Sequence, residues 1–285
     1  LPRFYRSMEE KIKNIFLVGH VTEIAGPGYH LRDFLAKQLN CRMLVMFHPM
    51  PESQLQESMI TNYPSEKVVA KYQKKKDFVL QMFFDTLITL WHIWKFAGTI
   101  ETYIGLNNFD TLPALLFKGW KIKQVVYYGS DYADYRFTNP ILNKIYRLVE
   151  LIVLAGCDLS VSNTYRAKDR RIELGLDPKK ALIISNGVDL SKIPNAVKKI
   201  EYDFVYIGYI SKTHGLEEIV NAIKRLSVEF PKIKLAVVGV GPYVKNLKST
   251  KHISFLGNMS HEKLLMFMKK KCLVGIASYT LTANW

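Results

Sequence analysis

At 285 residues the chain is long enough to form two domains, each with its own hydrophobic core. Its apolar content of 48% and charged content of 23% are typical of a folded globular protein and exclude a disordered one. A net charge of +15 fits a solvated basic surface, an anionic substrate or an acidic membrane surface; because no motif that reads RNA or DNA is visible, we expect no nucleic-acid partner.

The chain opens with a pattern that is typical of a Rossmann-like unit. An apolar run, Asn14–Gly19, is predicted as a strand, and the glycine-rich turn Gly26–Gly28 and a helical pattern of leucines follow it. Met43–His48 is predicted as the second strand, and residues 49–76 are predicted to be irregular. His20, directly after the first run, is interpreted either as a residue that faces a ligand or as a loop residue without a role.

A long apolar stretch, Asp77–Gly98, is predicted as a helix. Polar side chains such as Asp85 interrupt it, whereas a membrane span needs about twenty almost uncharged residues, so we expect no membrane crossing here. Its aromatic residues, among them Trp91 and Trp94, are predicted to pack in the core rather than to bind a cofactor. The lysine cluster Lys71–Lys76 just before it either holds an acidic bilayer or forms a solvated face.

The first half continues as alternating strands and helices. Asn139-Pro140 predicts a helix start, because asparagine caps a helix and proline fits its first position. A second helix is predicted over Thr164–Leu174. The other predicted strands are Thr102–Leu106, Gln124–Gly129, Asp158–Ser162 and Ala181–Ser185. Such alternation calls for a mostly parallel sheet that is covered on both faces.

The same scheme repeats after a polar, lysine-rich span. Its predicted strands are Phe204–Gly208, Lys234–Val240, Ile253–Gly257 and Leu273–Tyr279, with helices between them. We therefore expect an α/β protein with an N-terminal domain over residues 1–190, a linker over 191–202 and a C-terminal domain over 203–285. In open α/β sheets, ligands bind at the carboxyl ends of the strands, so we expect a ligand there.

Several stretches together resemble the GT-B glycosyltransferases, especially the retaining enzymes of family 4, also called glycosyl transferases group 1. No single stretch is specific for this family, but the order and spacing of the stretches along the chain are specific. In chain order they are Gly26–Gly28, the run that ends in Ser162, Ser185–Asp189, Gly208–Gly215, Val237–Pro242 and Ile253–Asn258.

The resemblance implies two Rossmann-like domains and metal-independent, cofactor-free transfer of a sugar from a nucleotide diphospho-sugar, with retention, to a glycan or lipid-linked acceptor. The donor is expected mainly on the second domain, where amide groups after two glycine turns would bind its diphosphate at helix N-termini. The implied donor residues are Gly26, Gly28, Gly208, Tyr209, Lys212, His214, Gly239 and Gly241. Leu256, Gly257 and Asn258 are expected near the base, and Ser162, Asn186, Gly187 and Asp189 at a cleft or hinge.

Two positions depart from the family pattern. The resemblance places an arginine where Tyr209 stands and a lysine where His214 stands, and both cations would hold the donor phosphates. Each lost charge-assisted hydrogen bond is worth about 1.5–3 kcal/mol. Either Lys212, His214 and a helix dipole are enough to bind the donor phosphates, or the affinity of the phosphate site is lowered. If His214 contributes, donor binding strengthens as the pH falls through its titration.

A second candidate site is Asp131, in the segment Tyr127–Tyr132. In the resemblance it matches the acid of a His-Asp pair, with Ser130 where the histidine would be. The carboxylate is predicted to orient a sugar hydroxyl or to accept the acceptor's proton. The alternative is that Asp131 caps the turn or pairs with Arg136.

Two other classes of function stay open. The departures at Tyr209 and His214 fit a GT-B-like binding or scaffold protein without activity, and a nucleotide-sugar epimerase would share the two-domain plan. The family's two carboxy-terminal glutamates would follow the last strand, so we expect the chain to end within its second domain and to bind donor weakly by itself. The cysteine spacing indicates a reducing compartment, and we expect a cytoplasmic protein, with the inner face of a membrane as the alternative.

Overall fold

A computed structural model describes residues 14–21, 26–39, 41–50, 53, 55–129, 131–187, 193–195 and 197–278. The chain divides into two compact units, one that ends at Asn186 and one that begins at Gly187. The predicted linker over 191–202 stays a prediction, because part of it lies outside the described residues.

The first unit is built on an eight-stranded sheet in the order β4-β3-β2-β1-β5-β6-β7-β8. The five neighbouring pairs from β2 to β8 are parallel, and β3 and β4 add an antiparallel edge. The strands are β1 (Asn14–Val21), β2 (Arg42–Pro49), β3 (Glu57–Tyr63), β4 (Lys67–Gln73), β5 (Ile100–Gly105), β6 (Ile122–Gly129), β7 (Leu159–Ser162) and β8 (Ala181–Ile183).

Among the described residues of this unit, five helices accompany the sheet: α1 (Pro27–Gln38), α2 (Phe78–Lys95), α3 (Asn108–Leu115), α4 (Pro140–Gly156) and α5 (Tyr165–Glu173), and a 3-10 turn covers Pro178–Lys180. Four of them begin after a residue whose side chain accepts a backbone N–H of the first turn: Asp77, Asn107, Asn139 and Thr164. The predicted helix start at Asn139-Pro140 is confirmed. One core joins α2, α3 and α4 to one side of the sheet, and a second core places α1 on the other side.

Residues 49–76 are not all irregular, and the prediction that they are is wrong. Glu57–Tyr63 and Lys67–Gln73 form an antiparallel hairpin whose first strand pairs with β2. Only alternate side chains of β3, such as Ser58 and Ile60, are buried, and β4 is mostly exposed. Backbone hydrogen bonds to an existing sheet hold such edge strands, so no apolar run marks them in the sequence.

The helix predicted from Asp77 is confirmed, but the prediction that its tryptophans are core residues is wrong. Trp91 and Trp94 are 51% and 56% exposed. The buried positions of α2 are instead spaced by four and mostly polar, and they are Gln81, Asp85, Thr89 and Ile93. In the part of the chain that the structure describes, no helix is long and apolar enough to cross a membrane.

The second unit has a parallel four-stranded sheet in the order β11-β10-β9-β12. Its strands are β9 (Tyr202–Ile207), β10 (Leu235–Val238), β11 (Ile253–Gly257) and β12 (Cys272–Ile276). Two helices, α6 (Leu216–Glu229) and α7 (His261–Lys271), cover its opposite sides. Short 3-10 turns follow β9 at Lys212–His214 and β10 at Pro242–Asn246.

Candidate functional site

A pocket of about 260 Å³ opens at the carboxyl ends of β1, β5 and β6 in the first unit. It brings together three residues that the sequence predicted for a site, Gly26, Gly28 and Asp131. Gly26 precedes α1 with a φ of 127°, which a residue with a side chain rarely adopts. An adjoining pocket of about 360 Å³ shares part of this wall. The residues common to both pockets are His20, Met50, Asn107 and Arg136.

A buried ionic cluster lies in this shared wall. His20 belongs to β1, not to a loop, and its side chain is only 4% exposed. Its Nδ1 lies 2.6 Å from Asp110 Oδ1 and its Nε2 lies 3.1 Å from Asp85 Oδ2. The second oxygen of Asp85 is 3.0 Å from His48 Nδ1 and also accepts a hydrogen bond from the hydroxyl of Ser58. The interpretation of His20 as a loop residue is therefore wrong.

The charges of this cluster follow from its geometry. Burial by itself lowers the pKa of His20, but the carboxylates of Asp110 and Asp85 outweigh it and raise the pKa to about 10. Burial raises the pKa of Asp85, yet His20 and His48 hold that pKa well below its usual range. His20 is consequently an imidazolium at neutral pH that donates both ring N–H groups, so it supplies a fixed positive charge rather than a general base.

Asp131 lies at the rim of the 260 Å³ pocket with its side chain 68% exposed. Arg136 Nη1 donates a hydrogen bond to its Oδ2 over 3.2 Å. Burial lowers the pKa of Arg136, but the charge of Asp131 opposes this and the pKa is raised overall. The ion pair that the sequence left as an alternative is thus present, and the role of Asp131 in proton transfer stays a prediction.

Arg171, which sequence analysis missed, supports the loop that carries Asp131. Its fully buried guanidinium donates to the backbone oxygens of Gly129 and Asp131, at 3.0 and 2.9 Å. Its Nε donates to Glu150 Oε1, and its Nη1 donates to the hydroxyl of Ser162 at 2.7 Å. A Cβ at Gly129 would lie 2.1 Å from this guanidinium. One sequence signal existed: Arg171 stands four residues after Ala167, on the inner face of α5.

The glycines predicted for the second unit converge at the carboxyl ends of β9, β10 and β11. A Cβ at Gly239 would lie 1.9 Å from the backbone oxygen of Gly208, and a Cβ at Gly241 would lie 2.1 Å from that of Ile210. The amide of Gly208 donates to Val238, and that of Gly239 donates to Gly257. These glycines allow close backbone approach, but the amides of Gly208 and Gly239 are already bonded to neighbouring strands, so other groups have to donate to a phosphate there.

Tyr209, Lys212 and His214 share the turn after β9. The Tyr209 and His214 rings meet edge to face with centroids 6.1 Å apart, and His214 Nδ1 is 2.5 Å from Ser211 Oγ. Gly215 follows in the left-handed conformation and leads into α6. The first turn of α6 carries two glutamates, which offset the positive end of the helix dipole. After Gly241 a five-residue 3-10 helix begins rather than an α-helix, so the helix N-terminus expected there belongs to a short element.

The remaining predicted residues are more scattered. Leu256 packs in a core of the second unit, and Asn258 is exposed with its side-chain oxygen bonded to the amide of Met259. Ser162 is buried beneath the loop that Arg171 holds, and Asn186 and Gly187 are exposed after β8. Two further predicted positions, Ser130 and Asp189, lie outside the described residues.

Comparison with known proteins adds a family match for part of the chain and a set of similar structures. Residues 189–281 match the sequence model of the family Glycosyl transferases group 1, and no curated protein matches the chain. The apo form of the lipopolysaccharide outer core galactosyltransferase WaaB has 12% identity and a TM-score of 0.59, over 93% of this chain and 74% of that one.

Two further similar structures contain nucleotides. Anabaena Alr3699/HepE, in complex with UDP and glucose, has 11% identity and a TM-score of 0.59, over 96% of this chain and 76% of that one. The UDP-GlcNAc 2-epimerase from Neisseria meningitidis, bound to UDP-GlcNAc, has 10% identity and a TM-score of 0.55, over 90% of this chain and 76% of that one. At such identities the likeness concerns the fold.

The predicted fold class, α/β with mostly parallel sheets in two Rossmann-like units, is confirmed. Transferases and epimerases share this architecture, so the fold by itself does not choose between them. The chain has the fold of the GT-B glycosyltransferases and epimerases, and its residues 189–281 carry the sequence pattern of glycosyl transferases group 1.

Proposed function

We propose that the chain is a glycosyltransferase that moves a sugar from a nucleoside diphosphate sugar to an acceptor. The observation that carries this proposal is the family match over residues 189–281, because that range contains the strand ends at Gly208, Gly239 and Gly257. The resemblance further favours family 4, transfer without a metal or cofactor, retention at the anomeric carbon, and a glycan or lipid-linked acceptor.

In this proposal the second unit binds the donor, and Lys212 supplies the main positive charge for its diphosphate. The helix dipole of α6 is weakened by Glu217 and Glu218 in the first turn, and Tyr209 carries no charge. Glu217 accepts a hydrogen bond of 2.5 Å from the hydroxyl of Tyr243, which fixes this negative charge near the turn. A lysine is a strong phosphate partner as a point charge, so Lys212 has to balance these carboxylates.

In the first unit, Asp131 is proposed to bind a sugar hydroxyl. One of its carboxylate oxygens, Oδ2, accepts a hydrogen bond from Arg136 over 3.2 Å, and this contact holds the carboxylate in place at the rim. This favours an orienting role over proton abstraction. The imidazolium of His20, in the wall of the same pocket, is bonded to Asp85 and Asp110, so it holds this wall in place rather than binding a ligand anion.

Nucleotide titration tests the donor site. We expect at least one nucleoside diphosphate of a panel to bind with saturation and more tightly than its monophosphate. The substitution Lys212→Gln removes this charge and is expected to weaken the binding by about tenfold or more, since a charge-assisted hydrogen bond is worth about 1.5–3 kcal/mol. Lys224→Gln, on the exposed side of α6, removes the same charge elsewhere and serves as the control. Equal binding of mono- and diphosphates would contradict the donor site.

Product analysis separates the proposal from its two alternatives. A transferase forms a new glycoside from the sugar nucleotide and an acceptor, whereas an epimerase returns an isomerised sugar nucleotide. A scaffold protein without activity yields neither product. An isomerised sugar nucleotide that forms without any acceptor would replace this proposal by the epimerase, a class already present among the similar structures.

A further inference from the structure

The outward sides of α2 and α4 share an unusual composition. Both helices pack against the same side of the sheet, with α3 between them. Exposed helix sides in globular proteins are normally polar. Here every exposed residue of the two helices is apolar or basic, and we call this set the apolar helix face. Its members are Val79, Leu80, Phe83, Phe84, Leu87, Trp91, Trp94 and Lys95 on α2, and Pro140, Ile141, Lys144, Ile145, Arg147, Leu148, Leu151, Ile152 and Ala155 on α4.

The acidic residues of these helices point inward. Each helix contains one, Asp85 on α2 and Glu150 on α4, and both are buried. Asp85 pairs with His20 and His48, and Glu150 accepts hydrogen bonds from Tyr127 and Arg171. Both carboxylates are therefore neutralised within the first unit. The apolar helix face consequently carries positive charge with no acidic group of its own.

Aromatic rings and lysines lie together on this face and beside it. The rings of Trp91 and Trp94 are 5.3 Å apart, and the Lys95 ammonium lies 5.9 Å from the Trp91 ring. Lys75 lies 5.0 Å from the ring of Phe84 at the other end of α2. The ammonium of Lys121 donates to the backbone oxygen of Trp94. Tryptophan beside snorkelling lysine is the combination that favours the interface between lipid head groups and acyl chains.

We propose that the apolar helix face docks on an anionic lipid surface, with its aromatic and aliphatic side chains inserted at the head-group level and its cations against lipid phosphates. A second copy of the chain fits less well, because two such faces would bring lysines and arginines together without any carboxylate between them. An anionic bilayer neutralises the same charges and covers the same apolar area. The proposal concerns the first unit alone and does not depend on sugar transfer.

Vesicle flotation with one matched pair of variants tests the apolar contribution. Phe83 on the face and Phe34 on α1, across the sheet, are 57% and 56% exposed. We expect the chain to float with vesicles of phosphatidylcholine and phosphatidylglycerol. Phe83→Gln should lower the partition coefficient by about tenfold, the effect of losing one buried aromatic ring. Phe34→Gln should leave it unchanged.

A second pair of variants, which match each other in net charge, tests the contribution of the cations on the face. Lys144→Gln with Arg147→Gln removes two cations from the face, whereas Lys224→Gln with Arg225→Gln removes two from α6 in the other unit. Each basic residue near an anionic bilayer contributes about 1 kcal/mol, so the first double variant should lower partitioning by about tenfold or more and the second should have little effect. Raising the salt concentration should weaken binding of the unmodified chain.

Three results would overturn the proposal. The first is equal binding to vesicles of phosphatidylcholine alone, and the second is an equal loss for Phe83→Gln and Phe34→Gln. The third is a chain that does not float but forms a dimer in solution which Phe83→Gln dissociates, as measured by analytical ultracentrifugation. Circular dichroism of each variant confirms that the loss of flotation does not come from unfolding.

Discussion

The two candidate sites of this molecule are built from different materials. In the first unit, ionised side chains from separate elements support the pocket. His20 lies in its wall and is bonded to the buried Asp85 and Asp110, and Arg171 lies beneath its rim. In the second unit, strand ends meet through backbone contacts between glycines, such as Gly239 against Gly208. The geometry of a site held by buried ion pairs depends on each charged partner and on the pH. The geometry of a site where two backbones are in contact depends on glycine, which has no side chain.

The largest expected effect of a substitution on stability concerns Arg171. Arg171→Met leaves Glu150 and two backbone oxygens without their buried partner, and breaking a buried ion pair costs about 3–5 kcal/mol. Arg170→Met, next to it, removes exposed ion pairs with Asp134 and Glu173 and a long hydrogen bond to the Tyr132 hydroxyl, and should remain close to the wild type. Urea denaturation compares the two. Similar stabilities for both variants would mean that the buried network does not hold the rim of the pocket.

The next effect is a pH dependence of stability that comes from His20. The folded chain holds the His20 proton up to a pKa of about 10, whereas an ordinary histidine has a value of 6.5. Its stabilising contribution is therefore complete below pH 6.5 and is lost as the pH rises to about 10, a fall of about 4 kcal/mol from about pH 7. Denaturation at several pH values measures it. His20→Gln should flatten the slope, and His30→Gln, on the exposed side of α1, should keep it.

A smaller loss of stability is expected at Gly239, where the neighbouring backbone leaves no room for a side chain. The new Cβ of Gly239→Ala would meet the backbone oxygen of Gly208, which no side-chain rotation relieves, at a φ of 143°. We expect about 2 kcal/mol of destabilisation. Gly275→Ala in β12 has open space around the new Cβ and should change stability by less than about 1 kcal/mol. Thermal unfolding of both variants decides whether the strand ends really approach so closely.

The smallest effect on stability, with a large effect on activity, is expected at the exposed rim. Asp131→Asn breaks one exposed ion pair with Arg136 and should cost less than about 1 kcal/mol. Because the carboxylate is proposed to orient the acceptor, turnover should fall by about a hundredfold. Rate measurements with matched unfolding curves test this. Rates near the wild type would remove Asp131 from the site and leave it as a surface residue.

The difference between the two sites also explains what the sequence revealed. Strands that end in glycine and helices that begin at a cap, such as Asn139, are local patterns, so the parallel sheets and the strand-end turn at Gly208 were predictable. The ionic cluster joins His20, Asp85 and Asp110, which are far apart in the sequence, and no local sequence pattern predicts such a contact.

Helix α2 shows how such a cluster misleads sequence analysis. Its polar residues Gln81, Asp85 and Thr89 are buried because they serve the cluster, and its tryptophans consequently point outward. Assigning the apolar side to the core is normally sound, but here tertiary pairing of the buried carboxylate overrides it. The antiparallel edge β3-β4 was missed for a related reason, since backbone pairing rather than apolar burial holds it.

The central claim is that the strand ends of the second unit bind a nucleoside diphosphate. The most direct measurement is an NMR titration that follows the backbone amide signals of Gly208, Gly239 and Gly257 in the intact chain. These signals are expected to shift with saturation when a nucleoside diphosphate is added, and Lys212→Gln is expected to weaken the response. Unchanged signals at millimolar nucleotide, or shifts confined to the pocket around Asp131, would contradict it.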